Sequence, residues 1–135
     1  MRLNRDGTTR YAQTIPEAVR AEMASATTFS NTGNVGVKHD SGKPRVDLLD
    51  SEALEGLTAV LTFGANKYSA HNWRGGMPYC RLIAAALRHL FAIMRGEDTD
   101  SESGLPHVDH LGCCWMMLSW NMKNRPDLDD RYKGK

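Results

Sequence analysis

His107 and His110 stand three residues apart, just after a turn that holds Glu97, Asp98, Asp100 and Glu102. At that spacing on a helix both imidazoles project from one face, and His89 lies on the segment before the turn. Imidazoles mixed with carboxylates suit Mn²⁺, Fe²⁺ or Zn²⁺, and carboxylates alone suit Mg²⁺. Helix capping accounts for one acid at such a place, because a carboxylate answers the macrodipole at a helix N-terminus. The whole cluster, with three histidines, is better read as a metal site.

A second set of residues is cationic. Lys67, Arg74, Arg81, Arg88 and Arg95 recur every seven residues, and no acid lies between Glu55 and Glu97. Heptad positions on one helix drift by only about 20°, so Arg81, Arg88 and Arg95 share a stripe. It is either a solvated face with snorkelling stems or a row that meets phosphate oxygens, which the guanidinium fork fits. A third set joins Lys43-Pro44-Arg45 to Lys67-Tyr68 and His71-Asn72-Trp73-Arg74. Cations for phosphate, a flat ring for a base and an amide for base edges are what a nucleotide site uses; Trp73 serves equally well as a plug for the end of a helical bundle.

Three superficial motifs fail on inspection. Asp98-x-Asp100-x-Glu102 has Ser103 where an EF-hand needs glycine and Asp109 where it needs glutamate. Gly36 to Lys43 has the wrong glycine spacing for a phosphate loop, and Pro44 replaces its hydroxyl residue. His39-Asp40 has no earlier histidine to complete an HD phosphohydrolase set. Cys113, Cys114, Met116 and Met117 read as core filling.

The elements that must position these groups are helical. Thr14 to Glu17 reads as a capping box for a helix to about residue 25. A polar stretch from Thr27 to Asp50, punctuated by Gly33, Gly36, Gly42 and Pro44, is longer than an ordinary connection. Leu54, Leu57, Leu61, Gly64 and Tyr68 then mark a helix near residues 51–67. Pro78 opens another that Gly96 stops, with Leu82, Ala85, Ala86, Leu90 and Ile93 facing inward. A last helix runs from about Leu105 to Met122, with Leu111, Cys114, Trp115 and Leu118 as its apolar stripe. The expected fold is all-α: a compact bundle of about four helices with a long glycine-containing loop after the first. Residues 1–13 are expected to be a flexible arm, 14–122 one domain, and 123–135 a charged tail.

Composition bounds the reading. At 135 residues the chain suits one domain, with a core small enough to invite oligomerisation. Seventeen basic against sixteen acidic residues argue against nucleic acid as a partner held by bulk attraction. No apolar run approaches the roughly 20 residues of a membrane span, and the N-terminus has no apolar signal segment. Three cysteines, two of them adjacent, argue against a disulfide framework. A reducing, cytoplasmic setting is expected.

The motifs also resemble a known family. Asp40-Ser41-Gly42-Lys43-Pro44-Arg45-Val46-Asp47-Leu48-Leu49, Leu61 to Tyr68 and His71-Asn72-Trp73-Arg74 carry one part of the likeness. Leu87-Arg88-His89-Leu90, Gly96-Glu97-Asp98, Glu102 to His107, His110 and Cys113 carry the rest. Together, over roughly residues 38–131, they resemble the phage dATP/dGTP diphosphohydrolases (MazZ-like) within the MazG-like all-α nucleotide pyrophosphohydrolases. The resemblance implies hydrolysis of a purine deoxynucleoside triphosphate to monophosphate and pyrophosphate, with divalent metal in an oligomeric helical scaffold. It also implies action on the nucleotide pool, in the host cytoplasm if the chain is phage-encoded. One departure is plain. The broader MazG pattern has E-E-x-x-E on one helix, and this chain has no adjacent glutamates; its E-x-x-D is Glu97 to Asp100 inside the turn.

On this reading His89, Asp98, Asp100, Glu102, His107 and His110 are the expected ligands of a Mg²⁺ or Mn²⁺ ion, another transition metal being possible given the histidines. Glu97 is the expected general base. Lys43, Arg45, Lys67, Arg74 and Arg88 would meet the phosphates, and His71, Asn72 and Trp73 the rest of the nucleotide. A homodimer or homotetramer is expected. The alternatives are a protein that binds a nucleotide without cleaving it, and a structural protein whose arginines contact DNA.

Overall fold

A computed structural model describes residues 15–25, 33, 38 and 42–134. Among these are four α-helices, three short 3-10 turns and no strand, the all-α class expected from the pattern. The helices are α1 (Glu17–Ser25), α2 (Ser51–Lys67), α3 (Tyr79–Met94) and α4 (His107–Asn124). None is long and apolar enough to cross a membrane. The chain divides into two compact units, residues 1–48 and 49–135.

The first unit carries α1, opened by a bond from the Arg20 amide to the Pro16 carbonyl (3.0 Å) and by a Glu17–Arg20 ion pair. Thr14 of the expected capping box, residues 1–13 and most of the long polar stretch lie outside the described residues. The short 3-10 turn Val46–Leu48 ends this unit.

The second unit holds the chemistry. Asp50 caps α2 by accepting the Ala53 amide (3.0 Å), with Glu52 in its first turn and Lys67 in its last, an arrangement that suits the macrodipole at both ends. α4 packs against both α3 and α2. Where α4 crosses α2, Gly56 leaves room for the Asp109 carboxylate: a Cβ there would lie 2.4 Å from Asp109 Oδ1. The turn between α3 and α4 is pinned at both ends. Gly96, at φ +82°, donates to Ile93 and the Glu97 amide donates back to Ala92, a glycine-closed helix end. An isolated bridge then pairs Thr99 with Pro106, so the acidic turn folds back on the start of α4.

The core is small. Val60, Tyr79, Leu82, Ala92 and Cys113 are its buried apolar residues, and His107 and Asn121 are buried with them. The inward stripe of α4 therefore differs from the expected one. It runs His107, His110, Cys113, Cys114, Met117, Asn121, while Trp115 is 68% exposed. The helix is turned this way because its polar residues find partners inside, which an apolarity count does not register. Leu90 of α3, expected inward, is exposed as well. Within the second unit, the segment expected as a charged tail bonds back to the start of α3 and the loop before it: the Cys80 amide donates to Asp130 Oδ1 (2.8 Å), and Arg125 Nη1 donates to the Gly75 carbonyl.

Candidate active site

The stripe of α3 that supplies Leu82 and Ala92 to the core also carries His89, seven residues after Leu82 and three before Ala92. It points at the first turn of α4. His89 Nδ1 and His107 Nδ1 lie 2.8 Å apart, and the His89 ring stacks on His110 with centroids 4.7 Å apart and planes 15° from parallel. One oxygen of Asp100 and one nitrogen each of His89 and His107 lie within 4.8 Å of one another. This is a donor set of two imidazoles and a carboxylate, a combination that suits a transition-metal ion.

The turn arranges these groups by its own hydrogen bonds. Asp100 Oδ1 accepts the amides of Glu102 (3.1 Å) and Ser103 (2.9 Å) and the Ser103 hydroxyl (3.0 Å). The same hydroxyl lies 2.7 Å from His110 Nε2, which links Asp100 to His110 through Ser103. Burial acts to raise the Asp100 pKa, but the Ser103 amide and hydroxyl and the His110 charge outweigh it, and the carboxyl sits below its ordinary range. Burial lowers the His89 pKa, helped by the neighbouring His110 and His107. A neutral imidazole is the form that binds metal.

Beside this cluster opens a cavity of about 930 Å³ bounded by α2, α3, α4 and the loop between α2 and α3. That falls within the roughly 300–1,000 Å³ of small-molecule sites. His110 and Glu102 line it next to the cluster, and Lys67, His71, Asn72, Trp73 and Arg74 line it from the loop. Lys67 Nζ is ion-paired with Glu102 Oε1, and Glu102 holds the Lys67 pKa above its ordinary value. The Arg74 guanidinium lies 5.2 Å from the Trp73 ring centroid, and Trp73 meets Trp120 edge-on at 5.3 Å.

The expected residues thus fall into groups. Of the six expected ligands, His89, Asp100 and His107 bring donor atoms together, with His110 stacked alongside. Glu102 faces Lys67, and Asp98 contributes its carbonyl, which accepts the His107 amide (2.9 Å). Glu97 is bound by Arg95 (2.7 Å), which lowers its pKa and weakens it as a base. Arg88 is exposed on α3 and is not among the cavity-lining residues. Lys43 and Arg45 belong to the first unit; Lys43 is exposed and Arg45 Nε donates to Asp47 (2.7 Å). Ser103 was not anticipated, although a serine three residues after an aspartate in a turn is a signal for this local bonding. Phe63, Arg81, Cys114 and Met117 also line the cavity, and their roles as wall residues need the helix packing to be seen.

Comparison with known proteins bears on the same stretch. Residues 33–131 match the family described as "dATP/dGTP diphosphohydrolase, N-terminal". The chain belongs to the dATP/dGTP diphosphohydrolase family. A curated relative from Salmonella phage PMBT28, named dATP/dGTP diphosphohydrolase, is 38% identical over 96 residues. That alignment covers 71% of this chain but 33% of the relative, so the chain spans about a third of the relative's length. No solved structure matches. The family match takes in the whole His89–Asp100–His107 donor set, the acidic turn and every residue that lines the cavity.

Proposed function

We propose that this family member hydrolyses purine deoxynucleoside triphosphates of the dATP/dGTP class to the monophosphate and pyrophosphate. The observation that carries the reading is the His89–Asp100–His107 donor set, one stacked ring away from a cavity walled by Lys67, Arg74 and Trp73. The family name, and that of the phage relative, supply the substrate class.

The donor set fits a divalent cation, because two imidazole nitrogens and a carboxylate oxygen converge on one place and the His89 pKa is lowered by burial. Mg²⁺ or Mn²⁺ is proposed, the imidazoles favouring the latter; bound there, the ion would draw charge from phosphate oxygens and acidify a water. The chain's own groups do the rest. Lys67 and Arg74 offset the negative charge that builds on the pyrophosphate as water adds to the α-phosphorus and the α–β bridging bond breaks. Leaving Glu102 for a phosphate costs Lys67 little, since an ion pair this exposed to water is weak. Trp73 offers its face to the purine, and Asn72 its amide to a base edge. Ser103 and Asp100 fix the His110 ring, so that its Nε2 can hold or release a proton beside the reacting phosphate. The proposed setting is the nucleotide pool of an infected cell.

Assembly as a homodimer or homotetramer is also proposed. Leu87, Leu90, Phe91 and Met94 line one exposed stripe of α3, and Val108, Trp115 and Met122 recur every seven residues along α4. These are faces that a second copy would cover.

The test is product analysis. Each deoxy- and ribonucleoside triphosphate is incubated with the chain and Mg²⁺ or Mn²⁺, and products are resolved by anion exchange. Pyrophosphate with dGMP or dAMP is expected. Orthophosphate with a diphosphate, or no turnover with tight nucleotide binding, would overturn the reading.

A further inference from the structure

The loop between α2 and α3 is not held in place by its own preferences. His71 sits in the left-handed region at φ +63°, where a non-glycine residue is disfavoured. The short turn Asn72–Gly75 closes with Arg74 and Gly76 amides on the His71 and Trp73 carbonyls. A turn this short has little stability alone.

What fixes it comes from 44 to 50 residues further along the chain. Asn121, 1% exposed, donates its side-chain amide to the Met77 carbonyl (2.6 Å). Arg125 donates Nη1 to the Gly75 carbonyl while Asp127 holds its other nitrogens. Between those carbonyls Gly76 lies so close to the tail that a Cβ would stand 2.6 Å from Leu128 Cδ1 and 3.0 Å from Arg125 Nη1. The Tyr79 hydroxyl closes the network on the Asn121 and Arg125 carbonyls (3.2 and 3.3 Å). Asn121, Arg125 and Leu128 are all absent from the cavity wall, whereas Asn72, Trp73 and Arg74 form part of it.

We propose that Asn121, Arg125 and Leu128 are positioning residues that lock the Asn72–Trp73–Arg74 turn in its cavity-lining conformation, so that the end of α4 sets nucleotide affinity without touching the nucleotide. The inference rests on the reading of the cavity as the nucleotide site. A ligand pays less to bind when the groups that meet it are already ordered. Cutting the Arg125 link leaves the turn to sample conformations that cannot bind, and the apparent affinity falls by the fraction of time it does so.

The test compares the full chain with Arg125→Ala, Arg125→Lys and Asp130→Ala, the last removing a different tail contact, on the Cys80 amide. Amide exchange of Arg74 and Gly76 and the dGTP kinetics with Mn²⁺ are measured for each. In Arg125→Ala those two amides should exchange about tenfold faster relative to α2. Its KM for dGTP should rise about tenfold with kcat within about twofold. Arg125→Lys should recover most of both effects. Asp130→Ala should lower Tm but leave the loop amides and KM unchanged. Unchanged exchange in Arg125→Ala, faster exchange with an unchanged KM, or the same pattern in Asp130→Ala would each overturn the proposal. A wild-type chain with neither affinity for dGTP nor turnover would overturn the nucleotide reading instead, and the exchange data would still judge whether Arg125 orders the loop.

Discussion

α4 buries a polar side chain at each end, and the two ends use it differently. At its start His107 is buried against His89, nitrogen to nitrogen, with His110 stacked alongside. Near its other end Asn121 is buried with its amide on the Met77 carbonyl. About 21 Å of helix separates the two. The histidine end is under-committed: two Nδ1 atoms face each other, so one proton serves both, and a proton on each would repel. The asparagine end is committed to a backbone carbonyl that does not titrate. The first arrangement leaves lone pairs for chemistry, and the second spends its donor on holding a loop. On the proposals above, the same helix face carries a reactive end and a mechanical end, with the cavity between them.

The largest expected effect breaks the reactive end alone. His107→Ala should lower pyrophosphate release by at least about 100-fold, since even outer-shell partners of metal ligands are worth 10–100-fold. Far-UV dichroism should stay helical. A variant that turns over normally would remove His107 from the ligand set, and one that unfolds would show that this end is mechanical too.

Asn121→Ala should give the converse. It strips the donor from the half-buried Met77 carbonyl and leaves a void where Asn121 was buried, for a cost of about 1–3 kcal/mol read from the urea midpoint. Metal affinity, measured by Mn²⁺ titration, should be unchanged. A shift in that affinity would mean that the two ends are coupled through α4.

The ends should also part on pH. Burial and the neighbouring histidines hold the folded His89 pKa below its unfolded value near 6.5. The unfolded chain therefore binds more protons once pH falls below about 6.5, and stability declines as pH drops through that window. Asp127 and Asp129, held by Arg125 and Arg131 respectively, have folded pKa values below the ordinary 3.8. Their contribution is fully present above about 3.8 and is lost only in stronger acid. In a chelator, urea stability should fall between pH 7 and 5, and His89→Gln should flatten the slope while Asp129→Asn should leave it as it is.

Sequence pattern exposed the reactive end far better than the mechanical one, and chain distance explains why. The bounds of α2 follow from its apolar period, and the observed helix has the same ends. His89, Asp100 and His107 lie within 19 residues on two successive helices and their turn, so local spacing brings them together. The contacts of Asn121, Arg125 and Asp130 reach 44 to 50 residues back, and no period or composition signals them. Glu97 shows a second limit. Its place in an acidic turn suggested a base, but its neighbour Arg95, two residues away, takes the carboxylate. In α4 an apolar count places Trp115 inside with Leu111, Cys114 and Leu118, whereas Trp115 alone of these is exposed, and His107 and Asn121, with partners inside, are buried instead.

The smallest expected effect lies between the ends, where the cysteines mark depth. Cys113 is 5% exposed, and burial, then the neighbouring Cys114, pushes its pKa up to about 11. Burial raises Cys114 as well, and both line the cavity. Cys80 is exposed at the start of α3, outside the cavity wall. Since the thiolate is the reactive form, a disulfide reagent at pH 8 should label Cys80 first and Cys113 only on unfolding. Saturating dGTP should slow labelling of Cys114 several-fold while leaving Cys80 unaffected, read by mass spectrometry with Cys114→Ser separating the adjacent pair. Protection of Cys80 rather than Cys114 would place the nucleotide toward the tail, at the end assigned here to support.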